Sequence, residues 1–197
     1  MTRRSVLVFS VPAILAILAA LGLSSCGSDP VPELDYGSER VAPLASEVEE
    51  SGSDTEPGAE DALVELDLDA GGVAALWIDP DDIRKVYVQY SDPADADAWT
   101  EPVLVYEAGD GCLTMHADTA ATTVAVGLGC YETDAFIQQA PDEGVALVST
   151  DFQTWDEDGV GESVPVPEVS EDGTKVVFRN DVYDGRVDTR WERGEGF

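Results

Sequence analysis

From Leu63 to Phe197 the chain is cut into short apolar runs by turn residues, and this spacing restricts its fold more than any other feature. Leu63-Val64-Glu65-Leu66-Asp67-Leu68-Asp69 alternates over its second half, and Val73 to Ile78 is a short apolar run. Val86 to Tyr90, Val103 to Tyr106, Val145 to Val148 and Val176 to Phe178 are β-branched or aromatic. Ala70-Gly71-Gly72, Asp79-Pro80-Asp81-Asp82, Asp92-Pro93, Gly109-Asp110-Gly111, Asp158-Gly159 and Glu171-Asp172-Gly173 separate them. Strands this short, broken this often, predict an all-β domain over 63–197. The one helix candidate is Glu132 to Gln139. About 135 residues suffice for one core and not for two.

Cys112 and Cys130 are an even pair downstream of Cys26 and read as one disulfide. The competing metal reading is poor, because the chain has a single histidine, His116, and lacks a fourth ligand at a suitable spacing. A hairpin closed symmetrically between the two cysteines turns about Ala121, within Asp118 to Thr122. In that register Cys112, Thr114 and His116 face Cys130, Leu128 and Val126. Leu113, Met115 and Ala117 share the other face with Ala125, Gly127 and Gly129. Both faces are apolar or small, so the hairpin is expected to be central and packed on both sides. Closing such a loop stabilises by on the order of 3 kcal/mol in the chain-entropy model.

The N-terminus is of another kind. Thr2-Arg3-Arg4 is a basic start, and Val6 to Leu23 carries no charge and ends in small residues at Ser24-Ser25. This is the layout of an export signal. A run of 18 residues also reaches the lower limit of a spanning helix, so a retained anchor is the alternative. Leu23-Ser24-Ser25-Cys26 resembles the lipobox of bacterial lipoproteins, in which two small residues precede the cysteine. The resemblance covers about 26 residues. It implies cleavage of residues 1–25, a diacylglyceryl thioether on Cys26, an acylated (palmitate-type) new N-terminus and attachment to the outer face of a bacterial cell membrane. Two or more lipid chains hold stably where one holds marginally. An ordinary signal peptide with an incidental cysteine is the competing reading.

The formal charge of the chain is −31. Cleavage would remove Arg3 and Arg4 from its 10 basic residues, leaving 8 against 41 acidic ones, a charge of −33. Such a surface repels nucleic acid and anionic lipid headgroups and suits cations or basic partners. High-salt adaptation would give the same imbalance. Gly27 to Ala62 holds 11 acidic residues and one basic residue, Arg40, and is rich in Pro, Ser and Gly. Residues 26–62 therefore read as a disordered acidic tether spanning roughly 30–35 Å, with a docking segment for a basic partner as the alternative. Leu44 to Glu50 is too short for a stable isolated helix.

Two stretches resemble sialidase-type (BNR, Asp-box) β-propeller repeats. Val73-Ala74-Ala75-Leu76-Trp77-Ile78-Asp79-Pro80 followed by Lys85-Val86-Tyr87-Val88-Gln89-Tyr90-Ser91 is similar to the strand, Asp-Pro turn and Val-Tyr strand of that family. Ser149-Thr150-Asp151-Phe152-Gln153-Thr154-Trp155 resembles the Asp-box itself, with one residue and the Gly missing. The resemblance implies that Ser149 and Asp151 close a tight turn and that Trp155 fills the core beneath it, a scaffold role. Ser91-Asp92 with Trp99-Thr100 is a looser copy. Two blades and a remnant do not close a propeller, which needs at least four. The expected fold is thus a small antiparallel β-sandwich or a set of propeller-blade-like sheets with one disulfide.

Chemistry is sparsely signalled. His116 has no Ser or Cys at a recognisable motif spacing. Carboxylate pairs are uninformative among 41 acidic residues. Sialidase chemistry, by the resemblance, calls for clustered arginines and a tyrosine; Arg84, Arg179, Arg186, Arg190, Arg193 and Tyr183 are the available ones. Asp79 to Asp82, Asp92 to Asp97 and Asp156 to Gly159 do not match the EF-hand loop and read as turn caps, with calcium a weak alternative. Trp77, Trp99, Trp155 and Trp191 are core candidates, any of which could line a sugar site. The chain is therefore expected to be a non-enzymatic, lipid-anchored surface protein with no cofactor and no metal, presenting a β domain to a protein or glycan ligand. A carbohydrate-binding or sialidase-like module and a calcium-dependent adhesion module are the alternatives.

Overall fold

Strands form where the sequence runs apolar or alternates, and they stop at the turns. A computed structural model describes residues 33–43, 62–132, 140–180 and 188–197, among which lie twelve strands and no helix. The first sheet contains β1 (Leu63–Asp67), β2 (Val73–Ile78), β3 (Lys85–Asp92), β4 (Asp95–Trp99) and β5 (Val103–Glu107), with β4 and β5 pairing opposite ends of β3. The second is the meander β6 (Gly111–Ala120), β7 (Thr123–Tyr131), β8 (Glu143–Ser149) and β9 (Asp156–Gly161). The third is β10 (Val166–Val169), β11 (Lys175–Arg179) and β12 (Thr189–Glu192). Every pairing is antiparallel.

The sheets stack as three layers. Leu76, Val86, Val88 and Tyr90 of the first sheet meet Met115, Val126, Leu128 and Leu147 of the second in the main core. Ala125, Ala146 and Val148, on the opposite face of the second sheet, meet Val176, Phe178 and Trp191 of the third. The middle sheet is thus covered on both faces, as the composition of the cysteine hairpin led us to expect. The opening strand of the middle sheet, β6, lies beside both β1 and β10. At Gly127 and Gly144 a Cβ would stand 1.7 and 1.8 Å from the backbone oxygens of Pro165 and Ser163. Only glycine admits so close an approach of the crossing segment.

The hairpin register differs from the symmetric one. Cys112 does face Cys130, and the disulfide is formed. Beyond it Thr114 faces Gly129, Met115 faces Leu128 and His116 faces Gly127. The cause is the turn. Ala120 pairs with Thr123 around Ala121, whose φ is +53°, and Thr122. That two-residue loop is one step out of phase with the disulfide, and a β-bulge between Cys112 and Thr114 absorbs the difference. Met115 therefore enters the main core. Asp156-Glu157-Asp158-Gly159 also departs from expectation: it is the outer strand β9, paired with β8 from Val148 to Val145. An edge strand of acids resists pairing with other chains.

The tether reading needs division. Leu23 to Cys26 and the rest of 1–32, residues 44–61 and the helix candidate from 133 to 139 lie outside the described residues. Residues 33–43, however, form a strap along the first sheet, with Leu34 and Tyr36 packed against the main core and Ala42 buried on the outer face. Ser38 and Trp99 exchange backbone hydrogen bonds of 2.9 and 3.0 Å. The Arg40 guanidinium lies 4.9 Å from the centre of the Trp99 ring and pairs with Glu65. Gln89, wholly buried, holds the strap most directly. Its Oε1 accepts from the amides of Val41 (2.8 Å) and Ala42 (3.0 Å). Its Nε2 donates to the carbonyls of Glu39 (3.0 Å) and Thr100 (2.8 Å). Composition predicts disorder here because the strap has few apolar residues; Leu34, Tyr36 and Ala42 are nevertheless packed against the domain, and the buried amide of Gln89 adds to that burial.

Replacing Gln89 by Leu strands backbone groups of Val41, Ala42, Glu39 and Thr100 without partners. The expected result is a loss of about 3 kcal/mol in chemical denaturation, together with faster proteolysis within residues 33–43.

Candidate functional site

The strap does more than cover the sheet. Its Leu34, Asp35, Gly37 and Ser38 form one wall of a cleft of about 540 Å³. Thr100 and Glu101, just after β4, and Val103 of β5 form the opposite wall. Tyr90 and Phe152 close the floor, each 1% exposed, and Gln153 stands beside them. The volume falls within the range of small-molecule sites.

Each wall has a local origin. Tyr90 points into the main core side of β3, and its ring packs on Phe152 with centroids 4.9 Å apart. The Tyr90 amide donates to Thr100 Oγ1 at 3.1 Å, and the Thr100 amide donates to the Tyr90 carbonyl at 2.9 Å. Glu101 accepts from the Ser38 hydroxyl, which ties the two walls together. The Tyr90 hydroxyl has no hydrogen-bond partner although it is buried. Burial and then the charge of Asp151 push its pKa well above the ordinary tyrosine range, so it is a proton donor throughout the neutral range.

Phe152 reaches the floor because of the turn that precedes β9. Asp151 accepts from the amides of Gln153 (2.9 Å) and Thr154 (2.7 Å), from the Thr154 hydroxyl (2.6 Å) and from Ser149 (3.3 Å). Phe152 has φ +61°, a left-handed conformation that only such a capped turn sustains in a bulky residue. Burial raises the Asp151 pKa, but the bonds from Thr154, Gln153 and Ser149 outweigh it and the net shift is downward. Ser149 and Asp151 thus close the turn, while Phe152 is the side chain fully buried beneath it. Trp155 is only partly buried, against the main core.

The turn read at Glu171-Asp172-Gly173 is of the same kind, with a capping role for Asp172 that the sequence reading did not assign to it. Asp172, between β10 and β11, accepts from Ser170 Oγ (2.7 Å), the Thr174 amide (3.1 Å) and the Thr174 hydroxyl (2.8 Å). These bonds, Ser170's first, lower its pKa to about 2. The Ser-x-Asp spacing shared with Ser149-Thr150-Asp151 was the available signal. In the looser copy, Ser91 Oγ accepts from the Val73 amide (2.8 Å) and Asp92 caps the Ala94 amide (2.8 Å).

The remaining sequence candidates lie elsewhere. His116 sits on β6 opposite Gly127. Arg84 pairs with Asp82, Arg179 with Glu168, and Arg193 donates to Thr122 and Thr123. Among the described residues no arginine and no tryptophan lines the cleft. Tyr183 and Arg186 are outside the described residues. Trp77 stacks on Tyr87, and Trp191 Nε1 donates to Asp156 at 2.8 Å. Asp79 caps the Asp81 amide and Asp82 is engaged by Arg84 and Lys85. Among the described residues no three His, Cys, Asp or Glu side chains are placed to hold a metal ion.

The two capped turns set an acid limit. Asp151 and Asp172 have folded pKa values below their unfolded ones, so their contribution is present above the ordinary aspartate range of about 4 and is lost as pH falls through the folded values, about 2 for Asp172. Asp151→Ala is expected to cost about 2 kcal/mol at pH 7, a fall of roughly 6 °C in Tm. The variant's Tm should also fall less steeply than that of the parent chain as pH drops below about 4.

Compared with family models, with curated proteins and with solved structures, the chain matches none, so a reading of the cleft rests on its own geometry.

Proposed function

We propose that the chain is a lipid-anchored protein of the outer face of a bacterial cell membrane, and that its β domain is a binding module using the cleft between strap and first sheet. The anchor rests on the basic start, the apolar run and the Leu23-Ser24-Ser25-Cys26 sequence. The binding role rests on the cleft itself, about 540 Å³ between the strap and the chain after β4, floored by Tyr90 and Phe152 and carrying the carboxylates of Asp35 and Glu101. A catalytic role has less support. Among the described residues the lining holds no His, Lys or Cys, and the Ser38 hydroxyl donates to the Glu101 carboxylate, a weak base for activating an alcohol.

If Cys26 carries the lipid, the strap shortens the tether. Six residues lie between Cys26 and Glu33, at most about 25 Å of extended chain. The cleft would then work close to the bilayer surface.

Intact-mass analysis of the native protein should find residues 1–25 removed and a lipid on Cys26, and Cys26→Ala should release the protein from the membrane fraction. An unmodified Cys26 would overturn the anchor. The cleft is tested separately by a fragment screen of the full chain followed by NMR. Hits should perturb Ser38, Thr100, Glu101 and Gln153; hits scattered over the surface would count against a binding cleft there.

A further inference from the structure

The strap is held to the first sheet as an extended peptide is held. The Ser38 amide donates to the Trp99 carbonyl at 2.9 Å and the Trp99 amide to the Ser38 carbonyl at 3.0 Å, an antiparallel bridge to the end of β4. Gln89 grips three further backbone groups, those of Glu39, Val41 and Ala42. Main-chain pairing of this kind is how a sheet takes an added segment. Side chains are read at two positions. Arg40 lies on the Trp99 ring and pairs with Glu65, and Ala42 packs with Ala75, Trp77 and Trp99. None of these contacts depends on which molecule supplies the segment. The connection to β1 leaves that choice open. Eighteen residues, 44–61, join Pro43 to Ala62, where connections within a compact domain usually take about 4–6. Such a length reaches about 60 Å when extended, enough to span to a neighbouring domain. It also holds seven acidic residues and no basic one, and like charges favour an extended linker over one folded back on its own domain.

We propose that the strap is exchanged between two copies of the chain, residues 33–43 of each docking on the first sheet of the other. Each cleft then takes Leu34, Asp35, Gly37 and Ser38 from its neighbour. The exchanged pair keeps every strap contact of the single chain, so the two forms differ only in the linker and in the cost of association. A flexible linker holds its own strap at an effective concentration on the order of 1 mM. Each chain carries −31, so separate copies resist meeting in dilute solution. Exchange is expected where copies are crowded, as on a membrane, a condition that rests on the lipid anchor proposed above.

Crosslinking of mixed copies tests this. One copy of the full chain carries Arg40→Cys and a second carries Glu65→Cys, and a short bis-maleimide joins the two positions where a strap lies on a sheet. Cys26 is blocked by its lipid, or replaced by Ala in a soluble arm, and Cys112 and Cys130 are held in their disulfide. Mixed on phospholipid vesicles, the two copies should give a covalent pair in at least about fivefold greater yield than Arg40→Cys mixed with Val166→Cys, an exposed position on the third sheet. Gln89→Leu in both copies should lower that yield about tenfold or more, the effect of losing a buried hydrogen-bonded amide. The soluble arm at about 1 mM should give the same pair. A pair in the soluble arm with none on vesicles would leave the exchange standing and count against the anchor. Equal yields from the Glu65 and Val166 positions would overturn the exchange. So would crosslinks confined to single chains that carry both Arg40→Cys and Glu65→Cys, or no crosslink in either arm.

Discussion

One buried side-chain amide holds the N-terminal strap to the domain. Gln89 lies in the middle of β3 with its polar end on the outer face, where water cannot reach it. A buried amide without partners costs several kcal/mol, so it stays only where acceptors and donors converge. The strap supplies three of the four groups, from Glu39, Val41 and Ala42, and the chain after β4 supplies the fourth, from Thr100. The same amide thereby fixes both walls of the cleft. Ser38 and Asp35 stand just before the strap residues it grips, and Glu101 follows the carbonyl it donates to.

The inner face of β3 depends on a different constraint. Val86, Val88 and Tyr90 pack against the middle sheet, which is itself clamped by the third sheet behind it. Gly127 and Gly144 allow that clamp to close. Tyr90 is the last of the three inward residues, at the end of the interface. Phe152, set by the Asp151 turn, meets it from the second sheet. The cleft is therefore where the stack of the first two sheets ends and the strap begins. Its floor belongs to the core, and its walls belong to segments outside the core.

Much of this fold was legible in the chain. Every apolar run read as a strand lies in one, because β-branched residues between Gly, Asp and Pro turns leave no competing structure. The strands that escaped notice, β4, β9, β10 and β12, are short, acidic or charged, and sit toward sheet edges where burial does not mark them. Cys112 and Cys130 gave the pairing but not the register, since a two-residue turn at Ala121 and Thr122 is not visible in residue types that rarely form one. Ser149 and Asp151 were readable because a capped turn is local. The cleft was not, since Leu34, Tyr90, Glu101 and Gln153 meet only in three dimensions. Gln89 did leave a trace: a lone amide among Val86, Tyr87, Val88 and Tyr90 is a polar residue in a strand too apolar to be exposed. Reading it as a buried group in need of partners would have pointed to a covering segment.

The most direct test is amide hydrogen exchange at the strap in the intact chain near neutral pH. If Gln89 pins the strap, the amides of Ser38, Val41 and Ala42 should exchange orders of magnitude more slowly than an unstructured chain, and in step with the amide of Trp99. Exchange of these three at free-chain rates, with Trp99 protected, would show an undocked strap and leave the cleft without one of its walls.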